Sequence, residues 1–237
     1  MLGGPSVRFT SAASSPTASN PTYVRTLGTA FYSSKTTTLS VTLTTKHAMT
    51  PRDWALVLVA VEGSFESGTL APASISGPTN PWTVAYGGAD GRIGGAQCPS
   101  TPFPITSKIR ISVSGGGTYW IVGVALEYAS TAGVVDLTIP LLTNVTSVKV
   151  STHQANCTVV SALQYGTQTT TPALPPTATL NGTAMTQRAF AKTPEPFGTS
   201  IDKWQCVVVH DLLVPTPTAT ATITFSKSGQ PWGAVLI

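Results

Sequence analysis

Alternation of apolar and polar residues is the dominant pattern along this chain. In the segment TATATITFS (Thr218–Ser226), alanine, isoleucine and phenylalanine occupy one side and threonine occupies the other. The same period of two runs through TLSVTL (Thr38–Leu43), KIRISVS (Lys108–Ser114) and TSVKVS (Thr146–Ser151). This period is typical of a strand with one buried face, and clusters of proline and glycine separate the strands at short intervals. The pattern therefore predicts an all-β protein, built as an antiparallel β-sandwich.

The order of the predicted strands repeats once along the chain. In each half a Thr-rich strand is followed by an apolar strand, and the half closes on a tryptophan followed by small and aliphatic residues. The corresponding segments are WALVLVAVEG (Trp54–Gly63) with CTVVSALQYG (Cys157–Gly166), and YWIVGVALEY (Tyr119–Tyr128) with PWGAVLI (Pro231–Ile237). The second half has a clear strand at Trp204–Val214 where the first has only a loose segment around Gly94–Phe103. We predict pseudo-repeats over about 38–128 and 146–237.

Two similar halves allow two architectures. They are either two small sandwiches side by side or one larger sandwich in which each half gives strands to both sheets. The connection between the halves contains VVDLTIPLL (Val134–Leu142), which is apolar and strand-like rather than a polar flexible linker. This connection favours the second architecture, and we predict a single jelly-roll-like β-sandwich domain over residues 31–237.

One predicted strand is apolar on both faces. In WALVLVAVEG, Trp54 and two leucines lie on one face, while Val57, Val59 and Val61 lie on the other. Because both faces are apolar, something must cover the second one. A loop or the N-terminal arm of the same chain is the ordinary cover. A neighbouring subunit is the alternative, and it makes the three valines candidate residues of a subunit interface.

The N-terminal segment differs in composition from the rest of the chain. Residues 1–30 are rich in serine, threonine, proline, alanine and glycine, a composition that does not build a core of its own. We predict an extended N-terminal arm that docks on another surface, with a loose terminus as the alternative. The apolar anchors of the arm are candidate subunit contacts; they are Val7, Phe9, Tyr23 and Val24.

Charged residues make up only 9% of the 237 residues, against about 25% in an ordinary globular domain. The net charge is +4, and lysine and arginine are scattered singly from Arg8 to Lys227. This scatter argues against nucleic-acid binding, which needs a concentrated basic footprint. The longest apolar run is far shorter than the ~20 residues of a membrane helix, and residues 1–30 lack a secretory signal. We therefore expect synthesis in the cytoplasm and no membrane partner.

No residue pattern indicates a catalytic, cofactor or metal site, and we predict that the protein is not an enzyme. The three histidines lack the spacing of a metal site, and His210 and Asp211 should point to opposite faces of one strand. The three cysteines are interpreted as small buried hydrophobic residues, Cys98, Cys157 and Cys206. A glycosidase would need two carboxylates across a cleft, and single acids at strand ends are usually solvated.

Sugar binding is a further hypothesis, because lectin-like sandwiches stack aromatic rings on sugar faces. Four aromatic residues lie near predicted loops and are candidate glycan contacts: Trp82, Tyr86, Phe103 and Tyr119. The competing interpretation, which we favour, places these rings in the core or at its rim.

The strand order as a whole resembles a known group of proteins. A Thr-rich strand, an apolar strand ending near glycine, PWTVAY, IRISVS and WIVGVALEY follow one another, and the pattern repeats to a final WGAVLI. This resembles the β-sandwich minor tail and virion-associated structural proteins of tailed bacteriophages, especially those of actinobacteria. The resemblance covers about Thr38–Ile237 and is a pattern of hydrophobicity and turns. Where the family often has Gly-Asp before the apolar strand, this chain has Arg52-Asp53, and no functional residue is carried over.

The resemblance implies a structural subunit of a bacteriophage virion, in the first place a tail-associated one. The implied partners are other virion proteins and copies of the chain itself, and the implied location is the virion after synthesis in the host cytoplasm. Two alternatives stay open: a decoration or stabilising protein on the exterior of the capsid, and a carbohydrate-binding module for host attachment, with a surface glycan as its partner.

Overall fold

The structure is a computed structural model and describes residues 20–34, 38–63, 74–77, 83–87, 93–98, 102–114, 119–129, 134–138, 145–167, 174–193 and 204–237. These residues form sixteen strands and no helix, and all of the strand pairs are antiparallel. The predicted all-β antiparallel sandwich is therefore confirmed.

The first repeat contains eight strands arranged in two sheets. They are β1 (Thr22–Ser34), β2 (Thr38–Thr44), β3 (Trp54–Gly63), β4 (Ser74–Ser76), β5 (Thr83–Gly87), β6 (Ile93–Cys98), β7 (Lys108–Ser114) and β8 (Tyr119–Ala129). The first inner sheet has the order β1-β8-β3-β6-β5, and the first outer sheet has the order β2-β7-β4. The apolar core of this repeat lies between the two sheets.

The second repeat follows the same plan. Its strands are β9 (Val134–Thr138), β10 (Val145–Thr152), β11 (Cys157–Thr167), β12 (Ala178–Leu180), β13 (Thr183–Ala184), β14 (Thr186–Lys192), β15 (Trp204–Val214) and β16 (Thr218–Leu236). The second inner sheet has the order β9-β16-β11-β15-β14. In the second outer sheet, β16 lies between β10 and the β12-β13 hairpin.

The strand β16 is long enough to serve both sheets of the second repeat. Its first part pairs with β10 and β12, and its last part pairs with β9 and β11. When the β12-β13 hairpin is counted as the fourth strand and the two parts of β16 as the seventh and eighth, both repeats share one order: first, eighth, third, sixth and fifth in the inner sheet, and second, seventh and fourth in the outer sheet. This is a jelly-roll arrangement of two packed sheets, and it confirms the predicted similarity of the halves.

Individual residues also repeat between the two halves. Thr45 follows β2 and Thr152 ends β10; both are buried, and their hydroxyls donate to the carbonyls of Pro104 and Thr218, at 3.3 and 3.0 Å. The missing strand of the first half is β6 (Ile93–Cys98), which overlaps the loose segment around Gly94–Phe103. Each half therefore contains a complete set of strands.

The prediction of one larger sandwich with shared sheets is wrong for the described strands, because none of their sheets combines strands of both halves. The reason lies in two segments whose roles the sequence did not reveal. The connection supplies β9, the first strand of the second repeat. The predicted arm supplies β1, the first strand of the first repeat, which includes the buried Leu27. The predicted arm over 1–30 is therefore too long, and its residues 1–19 lie outside the described residues.

The two repeats stack into four layers, with the inner sheets facing each other across an apolar layer, here called the interrepeat layer. This layer explains why β3 is apolar on both faces. Val57 and Val59 pack in the core of the first repeat, whereas Leu56 and Leu58 pack against the second repeat. The cover over the second face of β3 is thus the other repeat of the same chain.

Candidate functional site

The interrepeat layer joins the two repeats through apolar side chains of both inner sheets. The first repeat contributes Leu56, Leu58, Val122, Val124, Leu126 and Tyr128. The second repeat contributes Val160, Ala162, Ala189, Ala191, Val207, Val209, Trp232, Ala234 and Leu236. All of them are buried, so the layer closes into a continuous core and fixes one repeat on the other.

A buried carboxylate binds the two repeats together at the rim of this layer. Asp211 on β15 accepts a hydrogen bond from the Tyr128 hydroxyl on β8 at 3.2 Å, and its other oxygen pairs with Nε of Arg188 on β14 at 2.7 Å. Burial raises the pKa of Asp211, while the Arg188 guanidinium opposes that rise. Burial, reinforced by the negative charge of Asp211, raises the pKa of Tyr128, so the phenol keeps its proton and remains a donor.

The start of β1 completes the contact between the repeats. The Tyr23 ring meets the Tyr128 ring edge-on at 5.9 Å, and the Arg188 guanidinium lies 4.6 Å from the centroid of the Tyr23 ring. The Thr26 hydroxyl donates to the Arg188 carbonyl at 3.2 Å, and the Thr158 hydroxyl of β11 donates to the Pro21 carbonyl. The residues of both repeats that make these contacts are here called the interrepeat clasp. They are Pro21, Tyr23, Thr26, Tyr128, Thr158, Arg188 and Asp211.

A second buried carboxylate cluster lies within the first repeat. Glu127 on β8 is fully buried and forms an ion pair with Nε of Arg25 on the neighbouring β1 at 2.8 Å. The backbone N–H of Thr50 donates to the other carboxylate oxygen at 2.6 Å. Asp53, just before β3, forms a hydrogen bond with Glu127. The pKa of Asp53 is raised to about 6, mainly by burial and further by the hydrogen bond and the negative charge of Glu127.

The Asp53–Glu127 pair gives stability a defined dependence on pH. The folded pKa of Asp53 is about 6, against 3.8 for the free side chain, so the folded state holds a proton that the unfolded state releases between these values. The protonated pair stabilises the fold fully below about pH 4, and this contribution is lost as the pH rises through 6. Asp53→Asn keeps a neutral donor at every pH. We expect it to match the parent near pH 4 and to exceed it by up to about 3 kcal/mol at pH 7.

Urea unfolding of both proteins from pH 4 to pH 8 measures this difference. His210 acts with the opposite sign, because burial lowers its pKa to about 4 and its contribution is lost as the pH falls from 6.5 to 4. His210 is present in both proteins, so its contribution cancels in the difference. An Asp53→Asn protein that is less stable than the parent at pH 7 would contradict the buried shared proton.

The structure places the predicted interface residues in different environments. Tyr23 contacts the second repeat of its own chain, and Val24 is half-buried on β1. Val57 and Val59 lie in the core of the first repeat, so the prediction that they contact another subunit is wrong. The side chain of Val61 and the whole of Val7 and Phe9 lie outside the described residues.

The predicted glycan contacts are corrected at one position. Phe103 is only 1% exposed and packs in the core of the first repeat, so its ring is not available to a sugar. Its carbonyl accepts the backbone N–H of Met49 at 2.9 Å, which holds the segment before β7 against the loop after β2. Trp82 and the side chains of Tyr86 and Tyr119 lie outside the described residues.

Two predictions about polar and sulfur-containing residues are confirmed. His210 and Asp211 point to opposite faces, since His210 lies 6.2 Å from the Phe225 ring in the core of the second repeat while Asp211 lies in the clasp. Cys157 and Cys206 are free and buried in the same core, and burial raises the pKa of both thiols. The side chain of Cys98 lies outside the described residues.

The sequence did not reveal the two buried carboxylate clusters. One usable signal was present: Glu127 alternates with Ile121, Gly123 and Ala125 on one face of a strand whose other face is also apolar. An acid on a buried face needs a cationic or hydrogen-bonding partner. The identity of that partner, Arg25, depends on the pairing of β1 with β8, which the sequence did not predict.

Comparisons place no further constraint on the site. No protein-family model, curated protein or solved structure matches the chain.

Within the described ranges, no three histidine, cysteine, aspartate or glutamate side chains lie close enough to form a metal site. The part of the chain that the structure describes also contains no helix with the length and apolar character needed to cross a membrane.

Proposed function

We propose that the chain is a structural subunit of a bacteriophage virion, attached to the tail. The observation that carries the proposal is the duplicated jelly roll, two sandwiches of one strand order held face to face by the interrepeat layer and the clasp. Jelly rolls recur as building blocks of viral shells and of lectins. The resemblance of residues 38–237 to virion-associated sandwich proteins points in the same direction.

The surface suits a subunit that is held by many weak contacts with neighbours. With 9% charged residues, copies of the chain repel one another little, and the outward strand positions are largely serine and threonine. Several large apolar side chains are exposed, which a partner would cover: Phe31, Ile105, Leu174 and Leu213. Phe31 lies on β1, the end strand of the first inner sheet among the described strands, and an edge strand can pair with a neighbour.

The test uses purified phage particles and a truncated chain. Deleting residues 1–30 would remove most of β1 and unfold the first repeat, so the deletion must stop at residue 19. We expect the shortened chain to keep the melting temperature of the parent. We also expect it to join particles about a hundredfold less well or worse, because burial of Val7 and Phe9 on a neighbour would contribute about 1.5–3 kcal/mol each.

A full-length chain carrying Val7→Ser and Phe9→Ser separates the anchors from the mere presence of the segment. Gold-labelled antibody on electron micrographs then locates the subunit. Label on the tail supports the proposal, and label on the head alone favours capsid decoration. Label absent from particles, with normal expression of the chain, would overturn a virion role.

A further inference from the structure

The solvent face of the first outer sheet combines cations with hydroxyl groups. The alternate residues Val41, Leu43, Ile75, Ile109 and Ile111 point into the core and are buried. The intervening residues point outward and form what is here called the cationic hydroxyl face: Ser40, Thr42, Thr44, Ser76, Lys108, Arg110 and Ser112. All seven are exposed or half-buried.

The register of the sheet places both cations among hydroxyl groups. Arg110 on the central strand β7 lies between Thr42 and Ser76, and Lys108 lies opposite Thr44. Nη2 of Arg110 donates to the Ser40 hydroxyl at 3.3 Å, which leaves most of its five N–H donors directed elsewhere. Among the described side chains, no carboxylate pairs with Arg110 or Lys108.

The acids of the described region are not available to neutralise this face. Asp53, Glu127 and Asp211, the three acids whose side chains the structure describes, are all buried and occupied within the chain. Among the described side chains the exposed charges are all basic, namely Lys46, Arg52, Lys108, Arg110 and Lys149. The face therefore complements a negatively charged partner and repels a second copy of itself.

The chemistry of the face selects one class of anion. Its outward positions, as far as the structure describes them, contain no apolar or aromatic side chain, whereas the centre of a protein interface is apolar and a single-stranded nucleic acid needs aromatic platforms. Strands can enter a DNA groove, but duplex binding needs a concentrated basic footprint, and this face has two cations among its described side chains. Guanidinium pairs with carboxylate or phosphate through two parallel bonds, and hydroxyl groups exchange hydrogen bonds with sugar hydroxyls.

We propose that the cationic hydroxyl face binds an acidic polysaccharide, with Arg110 and Lys108 on its anionic groups and Thr42, Thr44 and Ser76 on its hydroxyl groups. This inference goes beyond the virion role and does not depend on it. A subunit that never joins a particle could still bind the polymer, and one that joins a particle could fail to bind it.

The second outer sheet supplies a matched control within the same chain. In the first outer sheet Val41 pairs with Ile111, and in the second Val148 pairs with Ile223. When these two pairs are aligned, Arg110 is equivalent to Thr222 and Lys108 to Thr220. The double variant Lys108→Thr with Arg110→Thr therefore installs the residues that the second repeat carries at these positions. Lys149→Thr removes the exposed cation of the second outer sheet, and the single variant Arg110→Thr is its comparison at the same cost of one charge.

The experiment measures binding of the full chain to polygalacturonate at low and high salt, with neutral dextran, oligothymidylate and duplex DNA as comparison polymers. We expect the parent to bind polygalacturonate and not dextran, with affinity falling as salt screens the charges. The double variant should lose about tenfold or more in affinity, whereas Lys149→Thr should change affinity by less than about twofold. Unchanged melting temperatures establish that both variants fold.

Three results would overturn the proposal. The first is equal binding by the parent and the double variant. The second is an equal loss in Lys149→Thr, which would indicate attraction by net charge alone. The third is tighter binding to either DNA than to polygalacturonate, which would identify the face as a nucleic-acid surface.

Discussion

Replacing Gly229 by alanine is expected to destabilise the second repeat by about 3 kcal/mol or more, one of the two largest effects of a single substitution in this protein. A Cβ atom at this position would lie 2.1 Å from the carbonyl oxygen of Gln164 and 3.0 Å from the Leu163 side chain. Gln164 belongs to the central strand β11, whose backbone is held on both sides by β15 and β16. Neither the backbone of β11 nor that of β16 can move away without breaking the hydrogen bonds between these strands.

The position of Gly229 explains why the cost is concentrated there. It lies where β16 leaves the outer sheet and enters the inner sheet, directly before the segment that pairs with β11. The jelly roll of the second repeat needs this passage, because one strand supplies both its seventh and its eighth positions. Only a residue without a side chain lets β16 cross so close to β11.

Gly182→Ala is the matched control for this substitution. Gly182 lies in the turn between β12 and β13 with φ of +85°, and nothing lies within 4 Å of an added Cβ. Its substitution carries only the cost of a left-handed backbone, about 1 kcal/mol. Urea unfolding of both variants measures the contrast. If Gly229→Ala proves as stable as Gly182→Ala, the close crossing of β16 over β11 is not a feature of the folded protein.

Strands that alternate regularly were predictable from the sequence, and a strand that does not alternate was missed. β2, β7, β10 and the first part of β16 follow a strict period of two, because one face meets the core and the other meets solvent. Residues 22–30 of β1 fall in the segment whose composition, rich in serine, threonine, proline, alanine and glycine, predicts an arm. Register shifts between Tyr23 and Arg25, and again between Thr26 and Gly28, interrupt the alternation that would have marked these residues as a strand. Each shift places one extra residue in the strand and reverses the side that later residues face.

The pairing of distant residues was beyond the reach of the sequence. The apolar pattern of β3 indicated correctly that its second face is covered, but a pattern along one strand does not identify what covers it. The clasp joins Thr26 to Arg188 and Tyr128 to Asp211, residues separated by 162 and 83 positions. Such contacts follow only from the stacking of two complete sandwiches. The repeat itself was readable because equivalent strands face equivalent environments.

Trp232→Ala is expected to loosen both repeats at once. Trp232 is 1% exposed and lies in the interrepeat layer. It is the largest of the fully buried side chains in the described part of the protein. Truncation of a buried tryptophan costs about 3–5 kcal/mol, partly through lost burial and partly through the cavity that remains. Because Leu56, Leu58 and Tyr128 of the first repeat line the same layer, the loss is shared across the junction.

Trp232→Phe tests whether volume or the indole N–H carries this effect. The indole Nε1 is buried with no hydrogen-bond partner among the described residues, so replacement by phenylalanine removes no hydrogen bond to them. Phenylalanine fills most of the space without that unpaired donor. We expect its cost to stay near 1 kcal/mol, well below that of alanine.

Ile223→Ala separates loss of the junction from loss of stability in general. Ile223 is also on β16 and fully buried, but it packs in the core of the second repeat, away from the interrepeat layer. Its truncation costs a similar 2–5 kcal/mol. Amide hydrogen exchange in β3 and β8 should rise much more in Trp232→Ala than in Ile223→Ala, because only the former opens the face that the first repeat buries. Exchange in β3 and β8 that stays at the level of the parent in both variants would mean that the repeats are stable independently and that the interrepeat layer does not couple their folding.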